Sequence, residues 1–416
     1  MDCRRLVCWP GLTGLAMLGA LAFVPVAAEA SPPCTVVAGG VRYPTLQPAV
    51  EAAAAGSTLT VEGTCYGDAS ISKQVRIVGR SNRRLGQATL NGGNSSSNPG
   101  SVIVDHGATV VIRAITITGG YNGICAPAGD PGCGGAPGDG LESTAEKGGG
   151  IFNEGGSITL TDSTVSGNVA APSHHNSSIQ TFGGGGIYND AGSVTLDNST
   201  VAHNEGLGKG GGIDNEEGSL RLDGSTVTEN RTIGTDRGFG GAFCDPGGGI
   251  YNTGQVLLTK STISGNSGGG QFCGGGGISN GGSFKLDRSI VEGNQAYEGG
   301  GIFNEGSGSL TLQRSTVTDN IGETQTAPGS TGGGIANAGA LALDSSTVSG
   351  NTASQGGGIY NGGGLTLNGT ASVIENKASE HGGGIYNLET HGATITFGAH
   401  WAGTISGNEP DDIFNF

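Results

Sequence analysis

Along most of the chain, apolar and polar residues alternate in short runs that recur. In Ser193-Val194-Thr195-Leu196-Asp197 the valine and leucine fall on one side and the polar residues on the other, which is the two-residue period of a β-strand. Ile187 precedes this run, and Val201 follows it after a short break. One unit therefore offers about three short strands, with Ile, Val-Leu and Val facing inward. No unit this small buries those residues alone. Stacked units do, because each covers the next.

The unit repeats. Gly-Gly followed by Ile, any residue and Asn occurs nine times, the Ile-x-Asn triplets beginning at Ile151, Ile187, Ile213, Ile250, Ile278, Ile302, Ile335, Ile359 and Ile385. A second block, typically Ser-Thr-Val-x-x-Asn, closes each unit on Asn168, Asn204, Asn230, Asn266, Asn294, Asn320, Asn351, Asn376 and Asn408. In the first eight units the isoleucine and the closing asparagine are 16 to 18 residues apart. Strands repeating in one direction at this period predict a right-handed parallel β-helix of about twelve coils, with coils about 4.8 Å apart and a rod about 58 Å long.

The corners of such a coil explain the glycines and asparagines. Glycine accepts backbone angles that other residues resist, and asparagine tolerates the left-handed region and bonds to nearby backbone. Asparagines stacked at one corner predict side-chain ladders, one for each of the two recurring positions. The aspartates that end the middle strand (Asp162, Asp197, Asp223, Asp287, Asp344) are expected as turn residues.

Residues 56–120 read as earlier, less regular coils, with strands at Leu59-Thr60-Val61, Val75-Arg76-Ile77-Val78, Val102-Ile103-Val104 and Ile115-Thr116-Ile117. Residues 45–55 predict a short helix with Leu46, Ala49, Val50 and Ala53 on one face. Solenoid ends need caps. This helix is the expected plug at one end, and Ile413, Phe414 and Phe416 are expected to cover the other. The organisation read from the sequence is a signal over residues 1–30, an N-terminal cap over 31–55 and a β-helix domain over 56–416.

Composition changes this picture little. The chain of 416 residues holds 86 glycines but no Gly-X-Y period, which excludes collagen. Arg4 and Arg5, an apolar stretch from Leu12 to Val26, and Ala28-Glu29-Ala30 read as an export signal with its cleavage site. A secreted, extracellular or cell-surface location is therefore expected, and no later stretch is apolar enough to span a membrane as a helix. The signal carries two charges of each sign, so the net charge of −16 stays with the rest of the chain. Without a basic cluster, nucleic-acid binding is excluded.

Six cysteines follow the signal: Cys34, Cys65, Cys125, Cys133, Cys244 and Cys273. An even number in an exported chain favours disulfides, and the absence of C-x-x-C argues against zinc. Cys244 and Cys273 stand six and five residues before Ile250 and Ile278. They therefore occupy one corner of adjacent coils, at a spacing a disulfide spans. Cys125–Cys133 is expected to close a small loop, and Cys34–Cys65 to pin the cap to the first coil.

Gly-Gly-Gly-Ile-Tyr-Asn, as at Gly184 to Asn189, with Ser-Thr-Val-Ser-Gly-Asn, at Ser163 to Asn168, resembles the repeat of secreted right-handed β-helix proteins of the pectin-lyase-like fold. The resemblance spans about residues 34–416. It is similar to the Gly-Gly-Ala-Ile repeat of the polymorphic outer-membrane proteins, which act as surface adhesins, and so implies a surface role. The chain departs from that family in lacking its Phe-x-x-Asn element and a run of alternating ten-residue strands for a membrane barrel.

Coil length varies at one place. Between a closing asparagine and the next Gly-Gly-Ile the link is long in four units, over residues 121–147, 169–182, 231–245 and 321–331. All interrupt the same corner and must emerge along one edge, where repeat proteins often bind. His174-His175 and Asp236-Arg237 stand in these links as candidate binding residues. A second candidate is the residue after each Ile: Phe152, Tyr188, Tyr251, Phe303, Tyr360 or Tyr386, interrupted by Asp214, Ser279 and Ala336. The alternation points this stripe outward, where aromatic faces suit sugar rings, although a stack along the sheet is the plainer expectation. No cofactor is expected. Calcium is the one metal that the nearby acids Glu154, Asp190, Glu216 and Glu305 would admit, although a solvated edge is the simpler reading.

The sequence thus points to a noncatalytic exported protein that binds a glycan or a cell-surface partner along its loop edge. The alternative, implied by the fold, is a polysaccharide lyase or glycoside hydrolase. Hydrolysis needs two carboxylates facing one cleft, and the only adjacent aspartates are Asp411-Asp412, at the C-terminal end. No catalytic residue is assigned.

Overall fold

The computed structural model describes residues 34–93, 100–122, 148–170, 182–233, 246–269, 274–322 and 329–416. Within them the predicted alternation becomes real burial. In the coil that begins at Ile187, the side chains of Ile187, Val194, Leu196 and Val201 are fully buried, while Ser193, Thr195 and Asp197 stay partly exposed. Coils stack in register, so like sits on like: Val194 pairs with Ile158 and Leu220, and Leu196 with Leu160 and Leu222.

Three parallel sheets run the length of the parallel β-helix. The first extends from Ser57–Glu62 to Thr394–Phe397, the second from Thr64–Tyr66 to Ile405–Ser406, and the third from Ala69–Ile71 to Ile413–Asn415. The second and third have 12 strands each, matching the expected number of coils. The first sheet continues with two antiparallel strands, Thr35–Ala38 and Val41–Tyr43, that cover its N-terminal edge.

Both asparagine ladders form. At the Ile-x-Asn corner each side-chain amide donates to Oδ1 of the next coil's asparagine, from Asn153 to Asn189 at 2.6 Å through to Asn387 and Asn415 at 3.2 Å. At the other corner Asn168 to Asn408 form a second column, with Nδ2 to Oδ1 distances of 2.9 to 3.0 Å. Each of these residues from Asn204 to Asn408 also donates to a carbonyl of the preceding coil, as Asn230 does to Val201 at 2.9 Å. Apart from Oδ1 of Asn153 at the start of the first column and the exposed Asn415 at its end, these polar groups are buried and bonded, which is the condition for keeping them in a core.

A third ladder was not expected. Ser163, Ser199, Ser225, Ser261, Ser289, Ser315 and Ser346 stack where the first sheet turns into the second. From Ser199 to Ser346, each Oγ accepts the backbone N–H of the preceding coil's serine at 3.0 to 3.1 Å. Each also donates to the carbonyl two residues back, as Ser199 does to Asp197 at 2.9 Å.

The glycine that opens each Gly-Gly-Gly triplet has a specific task. Gly299 has φ +57°, and a methyl group on it would overlap the carbonyl oxygen of Ile302. The chain folds back on itself here. It arrives over the outer side of the third sheet, turns, and enters that sheet at Ile302.

The ends differ. The helix spans Leu46–Ala52 and buries Leu46, Ala49 and Val50. It packs on the strands Thr35–Ala38 and Ala69–Ile71 as the predicted plug. It stops three residues short of the expected boundary because Ala53 is extended. Lys73 Nζ takes up the carbonyls of Glu51 and Ala53 at 3.0 and 2.7 Å, so the free helix end is satisfied. The Cys34–Cys65 disulfide is present, with Cα atoms 4.7 Å apart. At the other end Ile413 and Phe414 do not lie across the coils as a cover. They extend the third sheet by one strand, leaving Ile413 37% and Phe416 57% exposed.

Candidate functional site

The long links are rooted in two files. Their exits stack as a short parallel ladder, in which Tyr121–Asn122 pairs with Val169–Ala170, then Glu205–Gly206, then Arg231–Thr232. Ser267 bridges this file to Gln295, and Ile321–Gly322, Thr352–Gln355 and Lys377–His381 continue it. Their returns stack likewise. Phe182–Gly183 pairs with Gly208–Lys209, and Gly274, Glu298, Thr331 and Gln355 bridge in succession. The four long links therefore leave from and return to one edge, as the sequence predicted. His174, His175, Asp236 and Arg237 lie outside the described residues, as do Cys125, Cys133, Cys244 and Cys273. The described residue Gly247 donates its N–H to the Gly274 carbonyl of the adjacent coil at 3.2 Å.

The returning segments decide the fate of the aromatic stripe. They cross the outer face of the third sheet closely enough that a methyl group on Gly183 would overlap the Asp214 carboxylate, and one on Gly274 the Phe303 ring. Phe152, Tyr188, Tyr251 and Tyr386 are consequently buried, each 2 to 7% exposed, and Phe303 and Tyr360 are half-buried. This corrects the expectation of an outward, open stripe. Alternation tells which side of a strand a residue takes, but not whether another part of the chain passes over that side. The rings meet each other instead. Phe152 and Tyr188 have centroids 5.6 Å apart. Tyr360 and Tyr386 stack at 5.2 Å with planes 10° apart.

Around Asp214 the stripe turns polar. Tyr188 donates its hydroxyl to the Glu216 carboxylate. Burial, reinforced by that bond and by the charges of Asp214, Glu216 and Asp190, holds its phenol far above the ordinary range. Lys209 Nζ lies 4.6 Å from the centroid of the Tyr251 ring, a cation–π contact. Asp214, fully buried, sits between the two tyrosines in register. Sequence reasoning treated Asp214 only as a gap in the stripe. The usable signal was an acid in a column otherwise held by rings and small residues. Farther along, burial pushes the Glu298 carboxyl up.

Comparison with protein-family models, curated proteins and solved structures finds no match for this chain.

Three of the four acids named for calcium are engaged separately. Glu154 Oε2 lies 2.7 Å from His106 Nδ1, Glu216 accepts from Tyr188, and Glu305 accepts from Ser279 Oγ at 3.1 Å. No group of three metal-binding side chains converges among the described residues. Asp412, one of the paired aspartates, accepts from Asn408 at the end of the second ladder. Away from the loop edge, where the third sheet turns into the first, lies a shallow groove of about 540 Å³ lined by Gly192, Glu217, Ser219, Thr253, Gln255 and Ser283. Its walls are short turns, with none of the carboxylate pairs that glycoside hydrolysis needs.

Proposed function

We propose that this is a noncatalytic exported β-helix protein, secreted or held at the cell surface, that binds a glycan or another surface partner through its loop-bearing edge. The carrying observation is the double file of link roots along one edge, with short turns at the other corners of the coils from Ile151 to Ile374. Segments that share one edge on a stiff rod form an extended, multivalent face. Two further features support the reading. The Gly-Gly-Gly-Ile-Tyr-Asn repeat is similar to that of surface adhesins, and the export signal read at residues 1–30 suits a site outside the cell. No helix among the described residues is long and apolar enough to cross a membrane.

The test replaces residues 171–181 and 234–245 by short Gly-Ser connections and compares binding to a polysaccharide panel and to intact cells. Loss of binding with an unchanged melting temperature supports the reading. Binding that survives both replacements leaves the links over residues 121–147 and 321–331, and survival of their replacement as well places the site elsewhere. Release of oligosaccharides by the parent protein would replace this reading with a catalytic one.

A further inference from the structure

In the Ile-x-Asn ladder each interior asparagine gives through Nδ2 and receives at Oδ1. Asn153 is the first asparagine, and it gives to Asn189. In the coil before it, the same register position holds Asp105. Asp105 is fully buried, and its Oδ1 accepts the Ala108 N–H at 2.8 Å. Its Oδ2 has no partner, and neither has Oδ1 of Asn153. A methyl group on Gly156 would overlap both oxygens, so the two border the same small space. Two buried acceptors with no donor between them are costly.

We propose that Asp105 is held as the neutral acid in the folded chain and donates Oδ2–H to Oδ1 of Asn153, so that one proton supplies the rung that an amide supplies in later coils. The surroundings favour this. The facing strand Ala69–Ile71 brings no titratable group, and beyond it the Lys73 ammonium is tied to the helix carbonyls of Glu51 and Ala53. On the strand Ile151–Glu154 only Glu154 titrates, and it is paired with His106, the residue after Asp105. Burial is the largest influence on Asp105 and outweighs the Ala108 hydrogen bond and the His106 charge, pushing its carboxyl up to about 6.

The sign follows. A carboxyl that holds its proton more tightly when folded contributes stability that is complete below its ordinary value of 3.8 and is lost as the pH rises through about 6. Asp105→Asn keeps Oδ1 for Ala108 and puts an N–H where the proton would be. The variant is expected to melt above the parent at pH about 7.5 and together with it at pH about 4. Hydrogen exchange at Ile103–His106 and Ile151–Glu154 should slow by about tenfold or more in the variant at the higher pH. Infrared difference spectra of the parent between these limits should contain one protonated carboxyl that the variant lacks. Parallel pH profiles for the two proteins, or a variant that melts lower at pH about 7.5, would overturn the proposal. So would stabilisation of the parent alone by added sodium or calcium, since a cation would then bridge the two oxygens.

Discussion

Oδ1 of Asp412 accepts both the backbone N–H of Asn408, at 3.1 Å, and its side-chain amide, at 2.9 Å. These are the two bonds that each asparagine of that ladder from Asn204 onward receives from its neighbour, as Asn408 does from Asn376. Asp412 therefore closes the column with a local substitute for a further coil. Position along the ladder should then set the cost of breaking it. Asn266→Ala strands the buried N–H of Asn230, takes one of three acceptors from its amide, and removes the amide that Asn266 itself gives to Val227 and Asn294. It should lose about 3 kcal/mol or more. Asp412→Ala strands the N–H of Asn408, whose amide keeps the Val373 carbonyl, near an end that water reaches, and should lose about 1 kcal/mol. Urea unfolding of the two variants measures the difference, and equal losses would contradict a ladder whose inner rungs matter more.

Glycines with the same backbone sign should differ as sharply. Gly299 and Gly155 both have positive φ, at +57° and +69°. A methyl group on Gly299 would overlap the Ile302 carbonyl, whereas one on Gly155 would meet nothing within 4 Å. Gly155→Ala should cost only the left-handed strain, about 1 to 2 kcal/mol. Gly299→Ala must also open the fold-back and should cost more than about 4 kcal/mol or fail to fold. Soluble yield and melting temperature distinguish the pair.

Both asparagine ladders were legible because asparagine is a marked residue at a fixed step from an isoleucine. The serine ladder was hidden in plain composition. Ser163 and Ser199 look like ordinary members of a Ser-Thr-Val strand, and only stacking in register makes Oγ bridge two coils. The stripe was read on the right side of the strand, but its cover is a tertiary fact. Phe182–Gly183 carries no sequence mark that it will pass over Asp214. Asp105 escaped notice because its coil has Ser-Val-Ile-Val-Asp where later coils have Gly-Gly-Ile-x-Asn, so its register became visible only through its pairing with Asn153.

The buried stripe changes what its substitution should do. Tyr386 is 5% exposed, stacked on Tyr360 and near Phe414. Tyr386→Ala should destabilise the C-terminal coils by about 3 kcal/mol and leave partner binding at the loop edge unchanged at temperatures where the variant stays folded. A loss of glycan binding with an unchanged melting temperature would restore the stripe as a binding surface.

The disulfide makes the last prediction local. Cys34 and Cys65 are 31 residues apart in sequence, and closing a loop of that length stabilises by about 3 to 4 kcal/mol in the chain-entropy account. The link ties the segment before Thr35–Ala38 to the first strand of the second sheet. In a solenoid each coil touches only its neighbours, so stability is a sum of local terms. The paired substitution Cys34→Ser with Cys65→Ser should therefore loosen the plug helix and the first two or three coils and spare the remainder. Hydrogen exchange is expected to quicken in Leu46–Ala52 and Ser57–Glu62 while Thr226–Thr228 and Thr262–Ser264 keep the parent's protection. Uniform loss along the rod would mean that the coils unfold as one unit, and that capping governs the entire chain rather than its first turns.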